Sequence, residues 1–328
     1  MRQARIKVPA GEAEAVYHCI SRTVNGEWLF DDAAKEVLRR QLWQVAEFCG
    51  VQIVTYAILS NHFHVLAQIP KQAEIPDAEL LRRHAVLYPR PTPFQATRLD
   101  VVQTQLATNG PEAVAWRRRQ TALMGDVSQF MKLLKQRFSI WFNKSHDRFG
   151  TLWAERFKSE LIEPQSRAVR AVAAYVDLNG VRAGLVADPM EYRFCGYAEA
   201  AAGKESAQAG ICFATGETEW RAAQAHYREV LFTTGAGPRE GAATISPTEA
   251  LLVLKNGGQL PLPAVLRCRI RHFIDGAVLG SQAFVAEQLT RYRRETARHH
   301  RTEPRNLPAW TEWGDLTTLR GLRRRALT

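Results

Sequence analysis

The chain lacks several features that would place it in a specialised class of protein. No apolar run in its 328 residues approaches the ~20 residues that a membrane-spanning helix needs. The basic residues 1–7 are not followed by the apolar segment of a secretory signal. The five cysteines are scattered and form no Cys-x-x-Cys pair, which argues against a structural zinc site or a disulfide framework. We therefore expect a cytoplasmic protein in a reducing compartment, without a membrane partner.

Acidic residues are too few to balance the basic ones. The composition is that of an ordinary globular chain, with 46% hydrophobic and 23% charged residues, yet the net charge is +11. From residue 266 onward, thirteen arginines stand against six acidic residues, with clusters at 291–294, 298–301 and 323–325. Arginine suits phosphate because its planar fork donates two hydrogen bonds. The excess predicts contact with nucleic acid, although the last ten residues are equally compatible with a solvated basic tail.

Two histidines stand between two apolar runs that are typical of buried strands. Residues 51–59 form the first run, residues 63–69 form the second, and turn residues separate them. Because side chains alternate faces along a strand, His62 and His64 point to the same side of the predicted sheet. Two imidazoles on one face can supply half of a metal site, or they are ordinary histidines of a hairpin.

A second constellation follows more than a hundred residues later. The alanine-rich segment 168–180 predicts a helix with Ser166 as its N-cap and Gly180 as its C-cap. Tyr175 and Asn179 are spaced i, i+4, which places them on one face. The amide oxygen of Asn179 can be a third ligand for a hard divalent cation, beside a tyrosine nucleophile. Taken singly, such a tyrosine is more often a packing residue and such an asparagine a cap.

Together these segments resemble a known family. Residues 17–22, 60–66 and 175–186 occur in the family's order, with further similar stretches at 130–138 and 148–158. Over roughly residues 10 to 200, the chain is similar to the single-tyrosine HUH transposases, and specifically to the REP-associated tyrosine transposases (RAYTs). Gly180 departs from the pattern, which usually has proline after the asparagine. The departure affects the helix exit more than the chemistry.

The resemblance implies an α+β fold, a ferredoxin-like HUH core with a central antiparallel sheet flanked by helices. It also implies cleavage of single-stranded DNA beside REP-type palindromic hairpins. A divalent metal ion, Mg²⁺ or Mn²⁺, held by His62, His64 and Asn179 would polarise the scissile phosphate. Tyr175 would attack phosphorus and form a 5′-phosphotyrosine, leaving a free 3′-OH, with no small-molecule cofactor. The protein would then be associated with the nucleoid when bound to DNA.

The general base and the DNA contacts are less defined by the sequence. A metal-bound water or His18 on the first predicted strand are candidates for the base. Arg22, Arg156 and Lys158 lie near the core motifs and are candidates for contacts with backbone phosphates, or they are solvated surface residues. Single-stranded or hairpin-flanking DNA is the expected substrate, because a duplex would hide the phosphate from in-line attack beside a sheet.

The element pattern predicts three regions. Residues 1–200 form the predicted catalytic domain, residues 201–246 a linker region with one helix at 220–231, and residues 247–328 a basic, mostly helical accessory region. The predicted order within the first region is compatible with an antiparallel sheet that has helices on one side. It comprises a strand at 15–22, a helix from Asp31 to Gly50, the strand pair, helical stretches at 77–87 and 97–107, a helix at 126–143, a strand at 152–163 and the tyrosine helix.

Three other interpretations compete with the transposase. A replication initiator or relaxase would use the same chemistry, but the sequence has no helicase-like P-loop. A domesticated protein could bind palindromic repeats without cutting them, although binding alone would not require His62, His64, Tyr175 and Asn179 together. An RNA-binding sheet would need an aromatic-rich RNP-like segment, which is missing. The resemblance to RAYTs favours a monomer over the dimers of insertion-sequence relatives, which exchange tyrosine helices.

Overall fold

A computed structural model describes residues 6–9, 11–71, 73–232, 276–296, 303–306 and 316–320. Within this part of the chain, seven strands form one sheet in the order β2-β3-β1-β4-β5-β7-β6. The strands are β1 Ala15–Arg22, β2 Gln52–Ile58, β3 His62–Ile69, β4 Lys158–Ile162, β5 Gly276–Ser281, β6 Arg305–Asn306 and β7 Leu316–Arg320.

The helices of the described residues lie between these strands in the sequence. They are α1 Asp32–Cys49, α2 Asp77–Leu87, α3 Pro93–Thr108, α4 Pro111–Thr121, α5 Val127–Ser145, α6 Arg167–Asp177, α7 Asn179–Arg182, α8 Gly196–Ala201, α9 Glu205–Thr215, α10 Trp220–Leu231 and α11 Gln282–Thr296. None of them combines the length and the apolar character needed to cross a membrane. Helices and sheet together confirm the predicted α+β class.

The first four strands have the topology of a split β-α-β unit. They pair antiparallel in the order β2-β3-β1-β4, with α1 connecting β1 to β2 and a helical segment connecting β3 to β4. This is the strand plan of ferredoxin-like folds. Beyond β4, the sheet continues with β5, which runs parallel to β4.

The two faces of the sheet carry different residues and different helices. Cross-strand partners share a face, so His18, Ile20 and their partners Leu66 and His64 lie on one side, which we call the histidine face. Helix α6 packs on this face. Phe63 points to the other side, where its ring contacts Trp153 and where α1 and α5 pack together. Helices therefore cover both faces, and the expectation of helices on one side is wrong.

Local sequence signals place α1 as predicted. The carboxylate of Asp31 accepts a hydrogen bond from the Ala34 amide, which satisfies an unpaired donor of the first turn. Gly50 ends the helix in the left-handed region at φ +65°, a conformation that glycine adopts without a side-chain clash. β4 is shorter than predicted, because residues 152–157 lie outside the strand and place Trp153 in an aromatic cluster with Phe30.

The predicted linker is folded as far as it is described. Residues 205–215 form α9 on β2, and a Cβ atom on Gly210 would lie 2.5 Å or less from the carbonyl oxygens of Ile53 and Val54. Helix α10 has the predicted bounds, and its Tyr227 is fully buried. Residues 201–232 are thus packed helices, because the small side chains of this segment allow close approach to the sheet. Residues 233–246 lie outside the described residues.

The C-terminal region adds strands to the same sheet. The predicted helical character accounts for α11, which carries the basic cluster 291–294, but β5, β6 and β7 were not predicted. The predicted helical residues 247–275 and the basic clusters 298–301 and 323–325 lie outside the described residues.

Candidate active site

Three imidazoles and one phenol meet where α6 crosses the histidine face. The ring centroid of His64 lies 5.2 Å from that of His62, 5.2 Å from that of His18 and 6.2 Å from that of Tyr175. The register of β1 against β3 brings in His18, and the packing of α6 brings in Tyr175. The structure thus brings Tyr175 next to His62 and His64, from which it is more than a hundred residues away in the sequence.

A neighbouring asparagine selects the tautomer of His62. The Nδ2 atom of Asn61 donates to the Gly26 carbonyl over 3.0 Å, so its Oδ1 atom is the acceptor in the 2.6 Å contact with His62 Nδ1. His62 therefore carries its proton on Nδ1 and its lone pair on Nε2. A histidine ligand in this tautomer binds a metal ion through Nε2.

His64 is held in a similar way by another histidine. Its Nδ1 atom lies 2.9 Å from Nε2 of His18, and both rings are buried. Burial lowers the pKa of His64 well below its usual value, and the charges of His18, His62, Arg182 and Arg22 lower it further. His64 is therefore neutral at physiological pH. If its Nδ1 donates to His18, the lone pair of His64 resides on Nε2.

Asn179 lies at the end of the tyrosine helix with its amide nitrogen bonded. Nδ2 donates to the Val176 carbonyl over 2.9 Å and to the Tyr175 carbonyl over 3.3 Å, two of the acceptors that a helix end leaves unsatisfied. The amide oxygen is then the atom able to bind a cation. The predicted single helix is interrupted at Leu178, so Asn179 begins the separate turn α7.

Gly180 is not the helix cap that the sequence predicted. Leu178 ends α6, and Gly180 lies within α7. A Cβ atom at position 180 would be 2.8 Å from Cγ of Tyr192, whose ring is buried and whose hydroxyl donates to the Ile58 carbonyl over 2.6 Å. Close packing against Tyr192, rather than a left-handed backbone, requires glycine here.

The donor set suits a mixed nitrogen and oxygen metal site. Within the described residues, no group of three His, Cys, Asp or Glu side chains converges to hold a metal ion. A metal ion held by His62 and His64 would therefore need a third donor of another type, and an amide oxygen would suit Mg²⁺ or Mn²⁺. The Nδ1 atoms of the two histidines and Nδ2 of Asn179 are already hydrogen-bonded. This leaves Nε2 of each histidine and Oδ1 of Asn179 as the atoms that could bind a metal ion.

Arg182 contacts Tyr175 directly, which the sequence did not predict. Its guanidinium carbon lies 3.9 Å from the centroid of the tyrosine ring, and one of its N–H groups donates to the Tyr175 carbonyl. Tyr175 itself is only 2% exposed. Both residues belong to the family-like stretch 175–186, and they lie on either side of the interruption at Leu178.

A buried carboxylate anchors the tyrosine helix. Asp177 accepts hydrogen bonds from Thr55 Oγ1 at 2.7 Å, from the Tyr197 amide at 3.1 Å and from the Tyr227 hydroxyl at 2.6 Å. Burial raises the pKa of Asp177 to about 6, although these hydrogen bonds act in the opposite direction. One side chain thus connects α6 to β2, α8 and α10. An acidic residue at the end of a helix rich in alanine and valine was the sequence signal for it.

The predicted DNA-contacting residues occupy different places. Arg22 is exposed and lies opposite His62 at the end of β1, next to the ring cluster. Lys158 lies opposite Ile20 on the histidine face. Arg156 is exposed in the segment before β4 and makes no hydrogen bond or ion pair with another described residue. The buried Glu160, opposite His18 on the same face, was missed in the sequence.

Comparison with known proteins gives a similarity to a solved structure. No family model matches the chain, and no curated protein matches it. Among solved structures, the chain is similar to a REP-associated tyrosine transposase bound to a REP hairpin, with 14% sequence identity and a TM-score of 0.36. The match covers 62% of this chain and 87% of that chain. A TM-score of 0.36 is too low to support a function, so a function has to be argued from the residues of the site.

Proposed function

We propose that the protein is a metal-dependent endonuclease and strand transferase for single-stranded DNA, acting beside REP-type hairpins through a 5′-phosphotyrosine. The observation that carries the proposal is the position of Tyr175, whose ring lies 6.2 Å from His64 on the face that also holds His62. A nucleophilic hydroxyl next to a pair of imidazoles able to bind a metal ion is an arrangement that can cleave a phosphodiester. The hairpin substrate follows from the sequence resemblance and from the net charge of +11.

In the proposed step, the phenolic oxygen of Tyr175 attacks phosphorus. The Oη–P bond forms while the P–O3′ bond breaks, and the leaving O3′ takes the electron pair and gains a proton to become a 3′-hydroxyl. The phenol gives up its proton in the same step. Because the product is itself a phosphodiester, the reverse reaction reseals the strand to a 3′ end without a nucleotide cofactor.

The other site residues orient the reactants. His62, His64 and Asn179 would hold the metal ion, which when bound supplies Lewis-acid stabilisation of the charge on the phosphate. Asn61 and His18 fix the orientation of the two imidazoles through their Nδ1 atoms. Arg22 at the edge of the cluster offers a fork for the neighbouring phosphate of the strand. We propose the same contact role for Lys158 and Arg156.

The competing function is a domesticated protein that binds palindromic repeats without cutting. Its site would need no nucleophile beside the histidines, and burial of Tyr175 against a cation would serve packing alone. Both functions predict binding to hairpin DNA, so affinity does not separate them. Covalent attachment of DNA does.

The test uses one hairpin oligonucleotide with a single-stranded flank, labelled at either end, with Mn²⁺ or EDTA. A 5′-phosphotyrosine predicts that the 3′ label becomes bound to the protein, whereas the 5′ label appears on a shorter free fragment with a 3′-hydroxyl. Tyr175→Phe should abolish both products. Tyr88→Phe, a change at an exposed tyrosine after α2 on the opposite side of the sheet, is the matched control and should cleave normally.

Two results would contradict the proposal. Tight binding without a covalent product in any metal would favour the repeat-binding protein. A covalent product that carries the 5′ label would show a linkage of the opposite polarity.

A further inference from the structure

Arg182 is the cation that touches Tyr175, and neither the metal-site prediction nor the DNA-contact predictions include it. We infer that Arg182 is a positioning residue, which holds the ring of Tyr175 for attack and stabilises the negative charge that develops on its oxygen. This inference rests on the proposed function and adds a residue to the same site.

Two contacts fix Arg182 relative to Tyr175. The guanidinium carbon is 3.9 Å from the ring centroid, well inside the ~6 Å range of cation–π contacts. An N–H of the same guanidinium donates to the Tyr175 carbonyl, which ties the group to the backbone below the ring. A side chain held at both places restricts rotation of the phenol, so Tyr175 approaches the strand in one orientation.

The hydrogen bond to the carbonyl is not needed to end the helix. Nδ2 of Asn179 also donates to the Tyr175 carbonyl, and it donates to the Val176 carbonyl as well. The helix end would therefore keep a partner for each of these acceptors without Arg182. What Arg182 adds is the positive charge over the ring, a contact that spans the break between α6 and α7 at Leu178.

A charge at this place acts on the reacting atom. As the Oη–P bond forms and the P–O3′ bond breaks, the phenolic proton leaves to solvent and negative charge passes through the phenolic oxygen. A half-buried cation against the ring lowers the free energy of that charge more than it lowers the free energy of the neutral phenol. In resealing, the same oxygen is the leaving atom. Arg182 should therefore accelerate cleavage and resealing alike.

The experiment measures the rate of covalent product formation with the 3′-labelled hairpin for Arg182→Gln and Arg182→Lys. Arg182→Gln should slow both cleavage and resealing about tenfold or more, with hairpin affinity changed less than about twofold. Arg182→Lys should recover part of the rate, because it restores charge without the planar fork. Arg167→Gln, at the exposed start of the same helix, is the matched control and should retain the wild-type rate.

A second readout does not depend on cleavage. In protein labelled with 3-fluorotyrosine, Tyr175→Phe assigns the fluorine resonance of position 175, and Arg182→Gln should shift that resonance while Arg167→Gln leaves it unchanged. An unshifted resonance in Arg182→Gln, or a wild-type rate in that variant, would overturn the inference alone. A wild-type protein that forms no covalent product would refute the proposed function and the role of Arg182 with it.

Discussion

The carboxylate of Asp177 gives a quantitative prediction about stability. It is fully buried, and burial raises its pKa to about 6 from the usual 3.8. Because the folded state then binds the proton more tightly than the unfolded chain, protonation of Asp177 stabilises the fold. Its contribution is complete below about pH 4, falls as the pH rises to about 6, and is lost above that. A pKa difference of about two between the folded and unfolded states corresponds to about 3 kcal/mol of unfolding free energy.

The substitution Asp177→Asn isolates this effect. The amide oxygen can still accept from Thr55 and from the Tyr197 amide, and the amide nitrogen can donate to the Tyr227 hydroxyl, so the variant mimics the protonated acid. Near pH 4 we expect equal unfolding free energies for variant and wild type. At pH 7 the variant should be more stable by up to about 3 kcal/mol.

The measurement is urea unfolding in EDTA at pH 4, 5, 6 and 7, with the difference between the two proteins plotted against pH. The difference cancels the titration of all other carboxylates. Asp100→Asn, at an exposed position of α3, is the matched control and should follow the wild type at every pH. Asp177→Ala leaves three donors without an acceptor and should cost about 3 kcal/mol or more.

A wild-type unfolding free energy that increases relative to that of Asp177→Asn as the pH rises would refute this prediction. That result would mean that the three hydrogen bonds outweigh burial and that the pKa of Asp177 is lowered in the folded protein.

Two further predictions follow from close contacts near the site. Gly180→Ala should lower the unfolding free energy by about 1–3 kcal/mol, because the new methyl group would meet the root of the buried Tyr192 ring. A gain in thermal stability, which is usual when alanine replaces glycine in a helix, would show that Tyr192 moves to accommodate the methyl group. His18→Asn should weaken Mn²⁺ binding about tenfold in an electron paramagnetic resonance titration, because His64 loses the partner of its Nδ1. Unchanged affinity would show that the bond between the two histidines does not orient His64.

Elements with strong local signals could be predicted from the sequence. β1 and α10 have the predicted bounds, and α1 lies between the predicted Asp31 cap and Gly50. These signals are caps, terminal glycines and apolar spacing, all of which act over a few residues. The same holds for His62 and His64, whose common face follows from strand alternation.

Elements without such signals were missed for identifiable reasons. Helix α4 buries only Ala113 and Trp116, so its sequence shows no apolar stripe. Helix α9 has the small-residue composition of a linker, yet Gly210 is small because the helix approaches the backbone of β2. Composition cannot distinguish a flexible segment from one that packs closely, since both favour small side chains.

The contacts within the site depend on long-range geometry. The bond between His18 and His64 follows from the register of β1 against β3, in which His64 pairs with Ile20. The contact of Arg182 with Tyr175 spans the interruption of the helix at Leu178. Neither contact can be read from residue spacing. The sequence therefore gives candidates for a nucleophile and for metal ligands, but not the contacts that His18 and Arg182 make with them.

The position of Tyr175 also determines how much of the chain a unit with the proposed activity must contain. Helix α6 is held on the histidine face by Asp177, and one of its three partners, Tyr227, belongs to α10. A unit that ended at residue 200, where the sequence places the boundary, would lack this hydroxyl and would open the buried carboxylate to water. Tyr175 lies two residues away on the same helix, so its placement beside His64 would loosen as well. The residues that hold Tyr175 in place therefore extend into α10, which ends at Leu231.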